Sequence, residues 1–130
     1  MAKVQIETAV APHPVGAYSQ AVRIGDTLQV SGQAGINART HSLAGDTVYE
    51  QTIQALRNVE AILHAGGADL GDVLMLRVFL HAPEGFAELN KAFEDTISKP
   101  YPARTTLFGG LPPGLLVEID ALAKLSGTGE

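Results

Sequence analysis

The sequence predicts an α+β sandwich in the order β-β-α-β-α-β-β, with one mixed sheet and two helices laid on one of its faces. Three observations carry this. Strand-length apolar runs broken by glycine and proline stand at both ends of the chain. Two segments between them repeat apolar residues at helical spacing, and a nearly unbroken apolar run, "DVLMLRVFL" (72–80), divides those two. At 130 residues the chain is read as one domain, 1–130. Folding a chain of this size buries roughly two thirds of its extended surface, enough for a core.

The elements follow in order. "GAYSQAVRIGDTLQVSGQAG" reads as two strands, 18–24 and 28–32, around a turn at Gly25 and Asp26. "INARTHSLAG" is polar and irregular, hence loop. The first helix spans about 47–65. Thr47 and Glu50 have capping-box spacing, and Ile53, Leu56, Val59 and Leu63 form its stripe, with Gln54, Arg57 and Asn58 between them. "AGG" (65–67) ends it, because glycine tolerates the left-handed conformation past a helix end.

The run 72–80 suggests an interior strand covered on both faces. Arg77 interrupts it, and the reading there is a salt bridge or a snorkelling stem at a sheet end. A second helix covers about 83–98, opened by Pro83 and striped by Phe86, Leu89, Phe93 and Ile97. Asn90 falls about 55° from the centre of that stripe, so its amide is either a structural tether or part of a site. "PYP" breaks the helix, 104–108 reads as a strand, "GGLPPG" as a turn, and 115–125 as the last strand. In that strand Val117, Ile119, Ala121 and Ala123 face one way, and Leu116, Glu118, Asp120 and Leu122 the other. Two helices cover only one sheet face, so the other is expected to pack on further subunits.

Composition narrows the function. Fourteen acidic against nine basic residues give a net charge of −5, without a Lys/Arg cluster, which argues against a nucleic-acid platform. Four Phe, three Tyr and no Trp leave few rings for stacking bases. The absence of cysteine removes disulfides, a thiol nucleophile and thiolate metal ligands. The four histidines, at 13, 41, 64 and 81, have no regular ligand spacing, so no metal is expected. No apolar leader or membrane-length segment is seen, and a cytoplasmic location is expected. Phosphate-loop, dinucleotide, zinc-protease and serine-elbow motifs are all missing.

Five residues remain for chemistry. Arg104 follows the stiff "PYP"; its planar guanidinium is either a carboxylate clamp or half of a structural ion pair. Glu118 lies in an apolar strand, placed either to handle a proton or to pair with an arginine, Arg104 included. Tyr18 is a ligand contact or a strand tyrosine of the core or interface, and Ser31, in "SGQAG", is a site residue or an edge position. Asn90 is the fifth.

These motifs, in this order and spacing, resemble the Rid (reactive intermediate deaminase) family, also called YjgF/YER057c/UK114, over nearly the whole length. "GAYSQAV" is similar to its G-P-Y-S-Q stretch and "VSGQAG" to its S-G-Q segment. "QTIQALRNVEAILHAGGA", "VFL" with "FAELNKAF", and "YPARTTL" with "LPPGLLVEIDALA" match its helices and its P-A-R and V-E-I-x-A signatures. The resemblance implies a chorismate-mutase-like fold and homotrimers with sites in the clefts between subunits. It implies hydrolysis of 2-imino acids or their enamines, such as 2-iminopropanoate and 2-iminobutanoate, to 2-oxo acids and ammonia. No cofactor is implied. Carried onto this chain, the carboxylate arginine is Arg104, the site glutamate Glu118, and the remaining contacts Tyr18, Ser31, Asn90 and Thr106, the last through its backbone. Three departures stand out: Ala17 for the usual proline, a turn "FGGLPPG" one residue shorter, and a loop "NARTHSLAG" without the Asp-Pro-x-Thr-Gly look. Three other readings stay open: deamination of another small imine, a non-catalytic ligand-binding or regulatory trimer, and ribonuclease activity, the last disfavoured by the charge.

Overall fold

The computed structural model describes residues 1–126. Its strands are β1 (Val4–Ile6), β2 (Ala21–Ile24), β3 (Thr27–Ala34), β4 (Val73–Leu80), β5 (Ala103–Phe108) and β6 (Val117–Lys124); its helices are α1 (Val48–Ala65) and α2 (Phe86–Thr96). Among the described residues these strands form one six-stranded sheet, ordered β1-β2-β3-β6-β4-β5. The β4–β5 pair is parallel and the remaining pairs are antiparallel, so the sheet is mixed.

The α+β class and the one-sided helices hold. Two expectations change at the N-terminal end of the sheet. A short strand, β1, precedes the predicted first pair and adds to its edge. Its three residues are too few to show a period. Tyr18 is not in a strand: β2 begins at Ala21, and Tyr18 lies in the preceding loop, half exposed.

Helix α1 starts where its cap predicts. Thr47 Oγ1 accepts from Glu50 N at 3.1 Å, and the Glu50 carboxylate accepts from Thr47 N in return. At the far end Gly67 takes φ +91°, the left-handed turn that "AGG" announces. The buried face runs through Ala55, Leu56, Val59, Ile62 and Leu63, while Ile53 is only partly covered. Gln51 and Asn58, polar and within the helix, are each 1% exposed. Both satisfy themselves on backbone: Gln51 donates to the Gly45 and Gly114 carbonyls and accepts from Leu116 N, and Asn58 donates to the carbonyls of Ala34 and Ile36. They fasten the end of β3, the loop before the helix and the segment leading into β6 to the helix.

The core lies between the helices and one sheet face. Leu28, Val30, Leu76, Val78, Leu80, Val117, Ile119, Ala121 and Ala123 meet the helix side chains there. This facing of β6 agrees with the alternation in its sequence. β4 is interior, between β6 and β5, as its apolar run suggests. It is not covered on both faces within one chain: Leu74 and Arg77 are exposed while Val73, Leu76, Val78 and Leu80 are buried. The second face, with Gln29, Arg77, Thr105 and Leu107 exposed, carries no helix among the described residues. Arg77 sits mid-strand rather than at a sheet end. Its Nε and Nη2 meet the Asp120 carboxylate of the adjacent strand at 3.0–3.2 Å. The pair explains how one charge interrupts an apolar run.

Candidate functional site: two clefts on opposite faces

The six residues singled out in the sequence divide into two groups. Arg104 pairs in register with Leu76, whose side chain is fully buried against the helices, so Arg104 points to the helix side. Thr106, in register with the buried Val78, shares that side. Asn90 arrives from α2. Asn90, Phe93, Glu94, Tyr101, Pro102 and Arg104 line an open cleft of about 410 Å³. Glu118 alternates with the buried Val117 and Ile119 and points to the uncovered side. There Tyr18, Gln29, Ser31, Gly32, Arg77, Glu118 and Asp120 line a second cleft, of about 480 Å³. One chain therefore does not bring Arg104 and Glu118 together, and their mutual ion pair is not formed in it.

Among the described residues no carboxylate lies within ion-pair distance of Arg104. Its Cζ instead sits 5.3 Å from the Phe86 ring centroid and 5.0 Å from that of Phe93. Desolvation by burial lowers its pKa from the ordinary arginine value. Phe86, expected in the apolar stripe of α2, is 41% exposed, while Leu89 at 0% and Phe93 at 7% are buried. Its ring faces the guanidinium rather than the core. Asn90 is partly buried and makes no side-chain hydrogen bond within the described residues, so the tether reading finds no partner.

Glu118 likewise makes no side-chain hydrogen bond or ion pair among the described residues. Its carboxylate lies directly against Gly32, where an added Cβ would collide with Oε2. Ser31 is committed elsewhere: its Oγ donates to the Ser19 carbonyl at 2.7 Å. The Tyr18 hydroxyl accepts from Val15 N at 3.3 Å, closing a small turn that shows the ring to the cleft.

The loop carrying Tyr18 hangs on one side chain. Gln20 is 1% exposed. Its Oε1 accepts from Thr8 N at 2.7 Å, and its Nε2 donates to the carbonyls of Thr8, Ala11 and Pro12 at 2.8–3.2 Å. Sequence reasoning passed over Gln20, since a glutamine before a strand looks like any polar residue. It also left Arg77 and Asp120 outside the site. Two opposite charges in otherwise apolar strands were the available signal.

Residues 8–125 match the family model described as Endoribonuclease L-PSP, and the chain belongs to that family, the YjgF/Rid proteins. A 2-iminobutanoate/2-iminopropanoate deaminase of Dermatophagoides farinae is 36% identical over 121 residues, covering 92% of this chain and 94% of that protein. RidA from an Antarctic Psychrobacter superposes with a TM-score of 0.89 at 39% identity, over 94% of this chain and 99% of that one. TdcF of E. coli, crystallised with bound serine, gives 0.88 at 33% identity, over 95% and 99%.

Proposed function

We propose that this protein hydrolyses small 2-imino acids, or their enamine tautomers, to 2-oxo acids and ammonia. The observation that carries the reading is the partly buried Arg104 guanidinium, set against the Phe86 and Phe93 rings and with no carboxylate partner among the described residues. A charge held in that state is matched to a ligand carboxylate, which its fork can take through two parallel hydrogen bonds. The deaminase name of one relative and the serine held by another support it, because serine presents the same carboxylate and α-nitrogen.

In this reading Arg104 fixes the carboxylate and so places the C=N carbon. Asn90 and the Thr106 backbone contact the substrate beside it. Water held by Glu118 adds to that carbon, forming the C–O bond as the C=N π electrons move to nitrogen. Glu118 takes the water's proton and returns it to nitrogen. The C–N bond then breaks as the oxygen lone pair forms the C=O bond, ammonia leaves, and Glu118, deprotonated again, takes the hydroxyl proton and passes it to the ammonia, giving the 2-oxo acid. A protonated imine is electrophilic enough that the scheme calls on no cofactor. Tyr18 and Ser31 shape the Glu118 side.

Because Arg104 and Glu118 face opposite sides of one sheet, the scheme needs two protomers. We place the working site between copies, in a homotrimer that also covers the open sheet face. The endoribonuclease description of the family draws little support from these clefts. Arg104 is the one cation lining the first, and Arg77, in the second, is neutralised by Asp120.

The test is ammonia release from enzymatically generated 2-iminopropanoate and 2-iminobutanoate, above the buffer rate, with Arg104→Ala as control. The expected outcome is acceleration by the native protein and a loss of about 100-fold in kcat/KM in the variant. Wild-type protein that does not exceed buffer on either substrate overturns the assignment.

A further inference from the structure

We propose that Phe86 and Phe93 are positioning residues for Arg104: their rings fix the guanidinium plane and leave its N–H fork open to a ligand carboxylate. This rests on the reading of Arg104 as the carboxylate clamp. Phe86, Asn90 and Phe93 stand at i, i+4 and i+7 on α2, one face of the helix over two turns. That spacing puts the Phe86 and Phe93 backbones roughly 10 Å apart along the axis. The Arg104 Cζ, 5.3 Å from one ring and 5.0 Å from the other, therefore spans the gap between them. Both distances fall within cation–π range.

The choice of partner matters. A flexible arginine needs something to hold it, and the commonest holder is a carboxylate. That partner occupies the N–H fork and competes with the substrate for the same donors. An aromatic ring holds the guanidinium by its face and leaves the edge free. Glu94 lines the same cleft yet is not paired with Arg104. Phe86 has the exposure of a ring retained for contact rather than for burial: it is 41% open on a helix whose next apolar residue, Leu89, is fully closed. Burial around Arg104 supports the same account, since a desolvated guanidinium gains more from a ring than a hydrated one does.

The experiment uses the native protein, Phe86→Leu, Phe86→Trp and Phe93→Leu. Steady-state kinetics on 2-iminobutanoate are read beside calorimetric binding of 2-oxobutanoate and the NMR shift of the Arg104 Nε–H. In Phe86→Leu, KM and the 2-oxobutanoate Kd rise about 5- to 10-fold with kcat within about twofold. The Nε–H signal loses its ring-current shift, and Phe86→Trp restores both. Phe93 is buried, so Phe93→Leu is read only where its melting transition remains cooperative. Unchanged Kd and an unmoved Nε–H signal in Phe86→Leu overturn the positioning role, whatever kcat does. A wild-type protein that neither turns over the imine nor binds 2-oxobutanoate overturns the deaminase reading instead. The Nε–H signal then decides alone: movement on losing the ring upholds the positioning role, and none overturns it.

Discussion

The two clefts differ in what holds their key residue. On the helix side Arg104 is gripped by two rings of α2 and is out of reach of every described carboxylate. On the open side Glu118 is shaped by an absence, the missing side chain of Gly32, and is bordered by an arginine already satisfied by Asp120. One half is built to hold a charge still, the other to leave a carboxylate unencumbered. In the proposed reaction these are the needs of binding and of proton transfer. The pair teaches that a single domain can keep both groups unpaired by putting a sheet between them. On one face, at contact distance, they would neutralise each other.

That contrast is broken most severely at Glu118. Glu118→Gln is expected to lower kcat about 100- to 1,000-fold while 2-oxobutanoate still binds through Arg104. Equal losses of kcat and binding would mean that the two halves do not divide the labour. The same variant sharpens the geometry when refolded in a 1:1 mixture with Arg104→Ala. Each mixed trimer then holds one intact Arg104–Glu118 site, so about a quarter of wild-type activity returns. No return would sink the two-protomer site.

A smaller effect is expected from Gly32→Ala. The new methyl meets the mobile end of Glu118 rather than backbone, so the protein folds, but the carboxylate is pushed aside. We expect kcat to fall about tenfold with the 2-oxobutanoate Kd unmoved. A change confined to Kd would assign Gly32 to the wrong half.

The smallest effect is expected where α1 meets α2. The Tyr49 hydroxyl donates to Asp95 at 2.7 Å and Lys91 reaches the same carboxylate at 3.0 Å, joining α1 to α2. The Tyr49 hydrogen bond, then Lys91, holds the Asp95 carboxyl below its ordinary value of 3.8. A depressed carboxylate contributes stability that is full above the unfolded value and is lost as pH falls through the folded one. The melting temperature is therefore expected to drop on acidification below about pH 4, and to drop less in Asp95→Asn. Identical acid sensitivity in the two proteins would dismiss the clamp.

Much of the fold was legible because local rules and burial agree. Thr47 and Glu50 cap α1 as their spacing announces, and Val117 through Ala123 alternate as one-sided burial requires. Arg104, Asn90, Tyr18, Ser31 and Glu118 could be singled out, while Arg77 and Asp120 were not, and the division of the two clefts into faces was less visible. Pairing Arg104 with Leu76 and Glu118 with Phe79 depends on register between strands distant in sequence. Gln20, Gln51 and Asn58 were missed as organisers for a different reason. Apart from the Gln54 amide that donates to Asn58, their partners are main-chain carbonyls and amides, which every residue has, so little in the side-chain pattern marks them. Phe86 was misjudged because helical periodicity separates faces but does not say which apolar residue meets a cation.

The Gln20 grip has a consequence for how this protein can diverge. Its amide hydrogen-bonds backbone atoms of Thr8, Ala11 and Pro12 and none of their side-chain atoms. Ala9, Val10 and His13 point outward around that anchor. Their identities can drift without releasing the strap that presents Tyr18. Ala9 and Val10 border a separate cleft beside Arg39 and Arg57, and that surface is therefore a place where recognition can be rewritten at little cost to the scaffold. Substitution of Gln20 itself offers no such freedom.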